Sequence, residues 1–165
     1  MLVFEGRPAV CKYGFSVWSA AWSHCTSQSL LDPYSFTHVL HGVLLYWALR
    51  PMRGRVSLPW RITLATTLEM GWELLENSPW VIERYRQQTA SLDYVGDTIV
   101  NSFGDVLCAV VGFWIASRIS WKWAVLAFVV IEVGLLVTVR DNLTLNVVML
   151  FWPLDAVKAW QLRGI

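Results

Sequence analysis

Residues 123–139, WAVLAFVVIEVGLLVTV, decide the fold class of this chain. The stretch holds a single charged residue, Glu132, and its 17 residues lie at the lower end of the roughly 17–25 that a helix needs to cross a bilayer. Three further apolar stretches have a similar length, at residues 34–49, 59–75 and 97–117. The sequence therefore predicts an all-α fold, a polytopic transmembrane helical bundle of four spans, with residues 1–165 as a single transmembrane domain.

The composition favours a membrane protein over a soluble domain. Of the 165 residues, 56% are hydrophobic and 15% are charged, whereas a soluble domain usually carries about 25% charged residues. The chain also has eleven Trp, whose indole rings favour the boundary between membrane and water. Its net charge of +1 gives no field that would recruit nucleic acid. We therefore expect membrane lipid as a partner, with other membrane protein subunits as an additional possibility, and no nucleic acid.

A fifth apolar segment lies near the C-terminus. Residues 143–152 are too few to cross a bilayer alone, and Pro153 follows them directly. The segment is either re-entrant or continues through Pro153 towards Lys158 as a kinked fifth span, and the sequence leaves both interpretations open.

The distribution of positive charge predicts the orientation. Four Arg lie in residues 50–61, and the turn at residues 118–122 adds Arg118 and Lys122. Because cytoplasmic loops are enriched in Lys and Arg, we expect both turns on the cytoplasmic side. Residues 1–32 then form an interfacial or external N-terminal segment, and residues 77–96 form an external connector.

Polar residues repeat at helical spacing in three of the predicted spans. They are His38 and His41 in the first, Glu69, Glu73 and Glu76 in the second, and Asp97, Asn101 and Asp105 in the third. In the predicted orientation all of them lie in the outer half of their spans. A charge at the bilayer centre costs roughly 2.5–3.5 kcal/mol on insertion scales, so these groups should face the bundle interior and pair there or bind a ligand.

The residue types in this cluster suit a divalent metal ion. Imidazole and carboxylate groups are the ligands that zinc, iron and manganese take from protein side chains. The expected ligand set is His38, His41, Glu69, Glu73, Asp97 and Asp105. The Glu-x-x-His spacing of di-iron bundles is missing, and no Ser or Cys nucleophile has an activating arrangement. The sequence therefore assigns no catalytic residue.

Three arginines complete the predicted site as anion holders or charge partners. Arg84, Arg86 and Arg140 could hold the phosphate of a lipid headgroup by bidentate hydrogen bonds. The alternative is a structural network, such as Glu73 with Arg84 or Asp105 with Arg140, in a non-catalytic accessory subunit of a larger membrane protein complex. A transport function is disfavoured because the inner halves of the spans are nearly all apolar.

Cysteine and glycine give two smaller expectations. Cys11 and Cys25 could form a disulfide if they face an oxidising compartment. Cys108 lies within an apolar run, so we expect a free thiol packed among apolar side chains. Gly96, Gly104 and Gly112 recur every eight residues, which favours close helix packing on one face.

Several longer motifs resemble a known family. They are DPYSFTHVLHG at residues 32–42, EMGWELLENSP at 69–79, GDTIVNSFGD at 96–105 and RDNLTLN at 140–146. Together they resemble an uncharacterised family of small polytopic bacterial inner-membrane proteins, over nearly the whole chain from Gly6 onwards. The resemblance implies a multi-pass protein of the bacterial cytoplasmic membrane, and it implies no activity.

The chain departs from that family pattern at two places. Relatives generally carry another hydrophobic segment before Gly6, where this chain has only residues 1–5. Relatives also tend to carry a second Cys close to Cys11, which this chain lacks. A looser similarity links the Asp97, Asn101 and Gly104 pattern to VanZ-like membrane proteins, which implies a role in the cell envelope.

Overall fold

The computed structural model describes residues 2–3, 5–91 and 93–163, and within them the only regular elements are helices. Seven α-helices follow one another: α1 (Ser35–Ala48), α2 (Leu58–Glu76), α3 (Pro79–Gln88), α4 (Ile99–Arg118), α5 (Trp121–Thr138), α6 (Leu143–Phe151) and α7 (Asp155–Leu162). A short 3₁₀ turn, Arg50–Met52, lies between α1 and α2. The prediction of an all-α fold is confirmed.

Glycine allows α1 and α4 to form the most extensive helix pair. A Cβ atom on Gly42 would lie 1.9 Å from the Ala109 carbonyl oxygen, and one on Gly112 would lie 2.0 Å from that of Val39. Gly104 meets the backbone of Leu30 in the same way. The predicted close helix packing is therefore confirmed for Gly112, whereas Gly104 packs against the non-helical N-terminal segment that contains Leu30. Gly96 differs because it precedes the helix and has a φ of +84°.

Polar side chains are buried and large apolar side chains are exposed, which reverses the pattern of a soluble domain. His38, Glu69, Glu73 and Asp105 are all buried. By contrast, α5 exposes apolar side chains around most of its circumference: Val125, Leu126, Val129, Val130, Val133 and Val137. Such a surface is stable against lipid and costly against water.

Two of the four predicted spans meet the length and composition expected of a membrane-crossing helix. They are α4 and α5. With 14 residues, α1 is only about 21 Å long, shorter than the roughly 30 Å hydrocarbon core. In α2 the charges of Arg61 and of three Glu reduce the hydropathy. The predicted helix positions hold, whereas four complete crossings remain a prediction.

The C-terminal segment is two short helices rather than one kinked helix. The chain leaves the helical conformation at Trp152, next to Pro153, and α7 begins at Asp155. Helix α6 packs against α3, and Gln161 of α7 donates a hydrogen bond to the carbonyl oxygen of Arg140. Both helices therefore lie against the same end of the bundle, and neither is long enough to cross a bilayer alone.

The N-terminal segment is irregular and is tied to the bundle. Cys11 and Cys25 form a disulfide, as the sequence allowed. Arg7 donates to the Asp97 carbonyl oxygen at 2.9 Å, and Asn101 donates to that of Ser29 at 2.8 Å. The segment thus covers the end of the bundle where α4 begins.

Asp32 lies just before α1, whose N-cap residue is Tyr34. Asp32 accepts from the backbone N–H groups of Ser27 and Tyr34, at 2.6 and 2.7 Å. Its carboxylate therefore joins the N-terminal segment to α1, and burial raises its pKa.

Candidate functional site

Three helices place a His/carboxylate cluster at one level of the bundle. His38 and His41 lie one turn apart on α1, Glu69 and Glu73 lie one turn apart on α2, and Asp105 lies on α4. The close glycine contacts between α1 and α4 hold the first and third helices together. Five of the six predicted metal ligands are therefore neighbours.

Glu69 joins the two histidines. Its Oε1 atom accepts from His38 Nδ1 at 2.7 Å and from His41 Nδ1 at 2.9 Å. When both Nδ1 atoms donate, Nε2 of each ring carries the free lone pair. A carboxylate that orients an imidazole through one nitrogen, while the other nitrogen is free for an ion, is the usual arrangement of metal-binding histidines.

Glu73 and Asp105 lie on either side of His38. Glu73 Oε1 is 3.4 Å from His38 Nδ1, and Asp105 Oδ2 is 3.9 Å from His38 Nε2. Asp105 also accepts from Ser35 Oγ at 2.7 Å. Neither oxygen of Glu73 has a hydrogen-bond donor among the described residues, although its side chain is only 3% exposed.

The cluster carries an excess of negative charge. It contains three buried carboxylates, and within the described residues histidine is their only ion-pairing partner. Two ligand groups share His38: one is His38, His41 and Glu69, and the other is His38, Glu73 and Asp105. In each group the potential ligand atoms lie within 4.8 Å of one another.

A cavity of about 140 Å³ adjoins the cluster. His38, His41 and Asp105 form part of its wall, and α6 contributes Leu143, Val147, Leu150 and Phe151. The cavity thus has a polar floor and an apolar side, and a ligand in it would reach both histidines.

Asp97 stands apart from both ligand groups. Its carboxylate accepts from Asn77 Nδ2 at 2.8 Å and from the Tyr94 hydroxyl at 3.1 Å, while its backbone N–H donates to Asn77 Oδ1. Burial raises the pKa of Asp97, and these hydrogen bonds oppose the shift. The structure therefore places this predicted ligand in the cavity wall, bound to the connector.

The three predicted arginines bond to backbone carbonyl groups. Arg84 donates to Leu150, Arg86 to Tyr94 and Arg140 to Trp160. In the described part of the chain none of them forms an ion pair with Glu73 or Asp105, so the pairs expected for a structural network are not observed. The arginines instead hold α3, α6 and α7 in place around the cavity.

Sequence reasoning omitted the aromatic part of the site. Tyr34, Trp72, Tyr85 and Tyr94 line the cavity, as does Glu76 of the predicted polar cluster. The i, i+4 spacing of Trp72 and Glu76 on α2 was a signal for Trp72. The tyrosines come from three separate segments, whose meeting depends on tertiary packing.

The relatives described below all carry the same family name, and no solved structure matches the chain. The chain is 50% identical to a UPF0314 protein of Rhizobium meliloti over 161 residues, which cover 94% of this chain and 80% of the relative. It is 43% identical to a UPF0314 protein of Brucella anthropi, with coverage of 97% and 82%, and 44% identical to one of Paracoccus denitrificans, with coverage of 97% and 84%.

The predicted resemblance to an uncharacterised bacterial family is confirmed, while the looser similarity to VanZ-like proteins stays a prediction. A family model described as "Protein of unknown function (DUF2585)" matches residues 2–163, nearly the whole described chain. On this match, and on relatives of 43–50% identity, the chain belongs to the DUF2585 family.

Proposed function

We propose that this chain is a bacterial inner-membrane protein that binds a divalent transition metal ion through His38, His41, Glu69, Glu73 and Asp105. The observation that carries the proposal is Glu73, a buried carboxylate with no hydrogen-bond donor among the described residues. A buried carboxylate without a hydrogen-bond donor is strongly unfavourable, so it requires either a proton or a cation.

The surroundings of Glu73 carry an excess of negative charge that a cation could balance. Glu69 and Asp105 add two more buried carboxylates, so even two protonated histidines would leave the cluster negative. The combination of imidazole and carboxylate selects zinc, manganese or iron over calcium, which prefers oxygen ligands alone. Metal–ligand bonds of about 2.0–2.2 Å allow atoms at the observed separations to meet at one ion after small side-chain shifts.

Three observations support an external location for the cavity. The disulfide between Cys11 and Cys25 requires an oxidising compartment, and the segment that contains it packs where α4 begins. Ser27 of that segment and Ser91 of the connector line the cavity. The basic turns at residues 50–61 and 118–122 lie at the other ends of their helices, as expected for cytoplasmic loops.

The test is metal content in the purified protein. We would strip the protein in a neutral detergent with a chelator, offer Zn²⁺, Mn²⁺ or Fe²⁺ separately, and measure bound metal by elemental mass spectrometry. Wild type should retain about one equivalent of one metal, and Glu73→Gln should weaken its binding by more than about tenfold because Gln keeps the shape and removes the charge. His38→Ala should lose the metal as well.

His24→Ala is the matched control, because His24 is exposed and contacts only Tyr13 among aromatic residues of the described chain. It should bind metal like wild type. Absence of metal from folded wild type, or undiminished binding by Glu73→Gln, would refute the proposal.

A further inference from the structure

Aromatic side chains from separate elements converge on the cavity beside the cluster. Tyr34 immediately precedes α1, Trp72 lies on α2, Tyr85 on α3 and Tyr94 in the connector. The ring centroids of Tyr85 and Tyr94 are 5.5 Å apart, at an angle of 78°. Trp72 packs edge to face with His41 at 5.7 Å. The cavity is therefore lined partly by aromatic rings whose positions are fixed by their neighbours.

Apart from His38 and His41, the charged side chains that line the cavity are acidic. Glu76, Asp97 and Asp105 contribute carboxylates, and the described lining contains no Lys or Arg. Glu76 belongs to neither metal-ligand group, so its carboxyl group would still face the cavity with a metal bound. Arg84 and Arg86, on the neighbouring helix α3, donate to backbone carbonyls.

Aromatic faces combined with carboxylates are the chemistry that recognises organic cations. A quaternary ammonium group is attracted to the negative faces of Trp and Tyr, and it needs no hydrogen-bond acceptor. An anionic ligand would meet Glu76 and Asp97, and it would find no Lys or Arg in the described lining. The cavity of about 140 Å³ far exceeds the roughly 10–15 Å³ that one water requires, so a group of several heavy atoms can enter.

We propose that this cavity binds an organic ammonium group, which makes such a cation the ligand or substrate class of the site. The inference rests on the proposed function, because it takes the cavity beside the metal cluster as the binding site. The apolar side formed by Leu143, Val147 and Leu150 of α6 suits a hydrocarbon substituent on the cation. A lipid headgroup and a free ammonium compound share this chemistry.

The test compares choline with its uncharged isostere, in which a quaternary carbon replaces the nitrogen. Calorimetric titration of the metal-loaded protein in neutral detergent should give binding of choline at least about tenfold tighter than of the isostere, because shape is equal and only charge differs. Glu76→Gln should weaken choline binding by a similar factor and leave the isostere unchanged. Trp72→Leu should weaken it as well.

Two matched controls use the same substitutions away from the cavity. Glu83→Gln and Trp80→Leu change exposed residues of α3 that do not line the cavity, and both should bind choline like wild type.

Comparison of tetramethylammonium with hexyltrimethylammonium distinguishes a lipid headgroup from a free ammonium compound as the ligand. Tighter binding of the hexyl compound supports a lipid headgroup, and equal binding supports a free cation.

Choline binding no tighter than that of the isostere, or unchanged by Glu76→Gln, would overturn the inference. Metal content, measured on each sample, keeps the two proposals apart. Bound metal without choline binding would refute the ammonium site alone. Charge-dependent choline binding by a protein that takes up no metal would refute the metal site alone.

Discussion

Burial sets the charge state of Asp141, in the turn between α5 and α6. Its carboxyl accepts from the Asn142 backbone N–H at 3.0 Å, from Gln161 at 3.1 Å and from the Tyr34 hydroxyl at 3.3 Å. Burial nevertheless dominates, and together with the nearby Glu132 it raises the pKa of Asp141 to about 7. In the unfolded chain the pKa of this carboxyl would return to about 3.9.

This shift predicts a loss of stability with rising pH. Between about pH 4 and pH 7 the folded state binds the proton on Asp141 more tightly than the unfolded state, so the free energy of unfolding falls as pH rises through that window. Asp141→Asn keeps the Oδ1 acceptor and removes the titration. Its melting temperature should exceed that of wild type at pH 8 and match it near pH 4, measured by thermal unfolding in detergent. Equal pH slopes for the two proteins would contradict the assignment.

Individual site residues were predictable where one helix face carries them. His38 and His41, like Glu69 and Glu73, follow from helical spacing and from the cost of charge in a bilayer. Asp97 was misplaced because it precedes α4 by two residues, where Asn77 and the Tyr94 hydroxyl determine its position. Hydrogen bonds between loop residues have no periodic signature in a sequence.

At the level of elements, α6 depends on a carboxylate of α5. Glu132, the lone charge in its apolar stretch, accepts from the backbone N–H groups of Leu143 and Thr144 at 3.0 and 3.1 Å. Asn142 caps the same helix by accepting from the Leu145 N–H at 2.8 Å. These acceptors satisfy the first free N–H groups of α6 and complement its dipole.

We therefore expect Glu132→Ala to release α6 from the bundle. Loss of the carboxylate leaves two N–H groups without their acceptor, at a cost of about 1–3 kcal/mol each if they stay buried. Faster amide hydrogen exchange should appear in residues 143–151, while α1 and α4 keep their protection. Because α6 forms one side of the cavity, ligand binding there should weaken too. Thr144→Ala changes the same turn without removing the carboxylate, and it should exchange like wild type.

The helices themselves were largely predictable, and the way α6 and α7 return to the bundle was not. Long apolar runs bounded by Pro, Arg or Asp mark α1, α2, α4 and α5 to within a few residues. The ten residues after Asn142 fit either a re-entrant or a kinked helix, because the choice depends on Glu132 and on contacts with α3. Helix α3 was part of the predicted connector.

At the scale of the whole molecule, the inverted distribution of polarity is the strongest sign of a lipid environment. A polar network lies between α1, α2 and α4, while α5 exposes Val129, Val130 and Val133 with few contacts to the other helices. In water such a helix would gain little from packing, because its apolar surface would stay hydrated. In a bilayer the same surface needs no protein partner.

Val130 gives a direct test of that environment, because it lies near the middle of α5 and is 60% exposed. On the surface of a soluble protein, Val130→Asp would change stability by no more than about 0.5 kcal/mol. At the centre of a membrane helix, Asp costs about 2.5–3.5 kcal/mol, and Asp is too short to reach the interface. We expect Val130→Asp to reduce strongly the fraction of protein that resists extraction from membranes at alkaline pH. Val17→Asp, at a 57% exposed position of the N-terminal segment, should behave like wild type. Equal extraction of the two variants would place α5 outside the lipid.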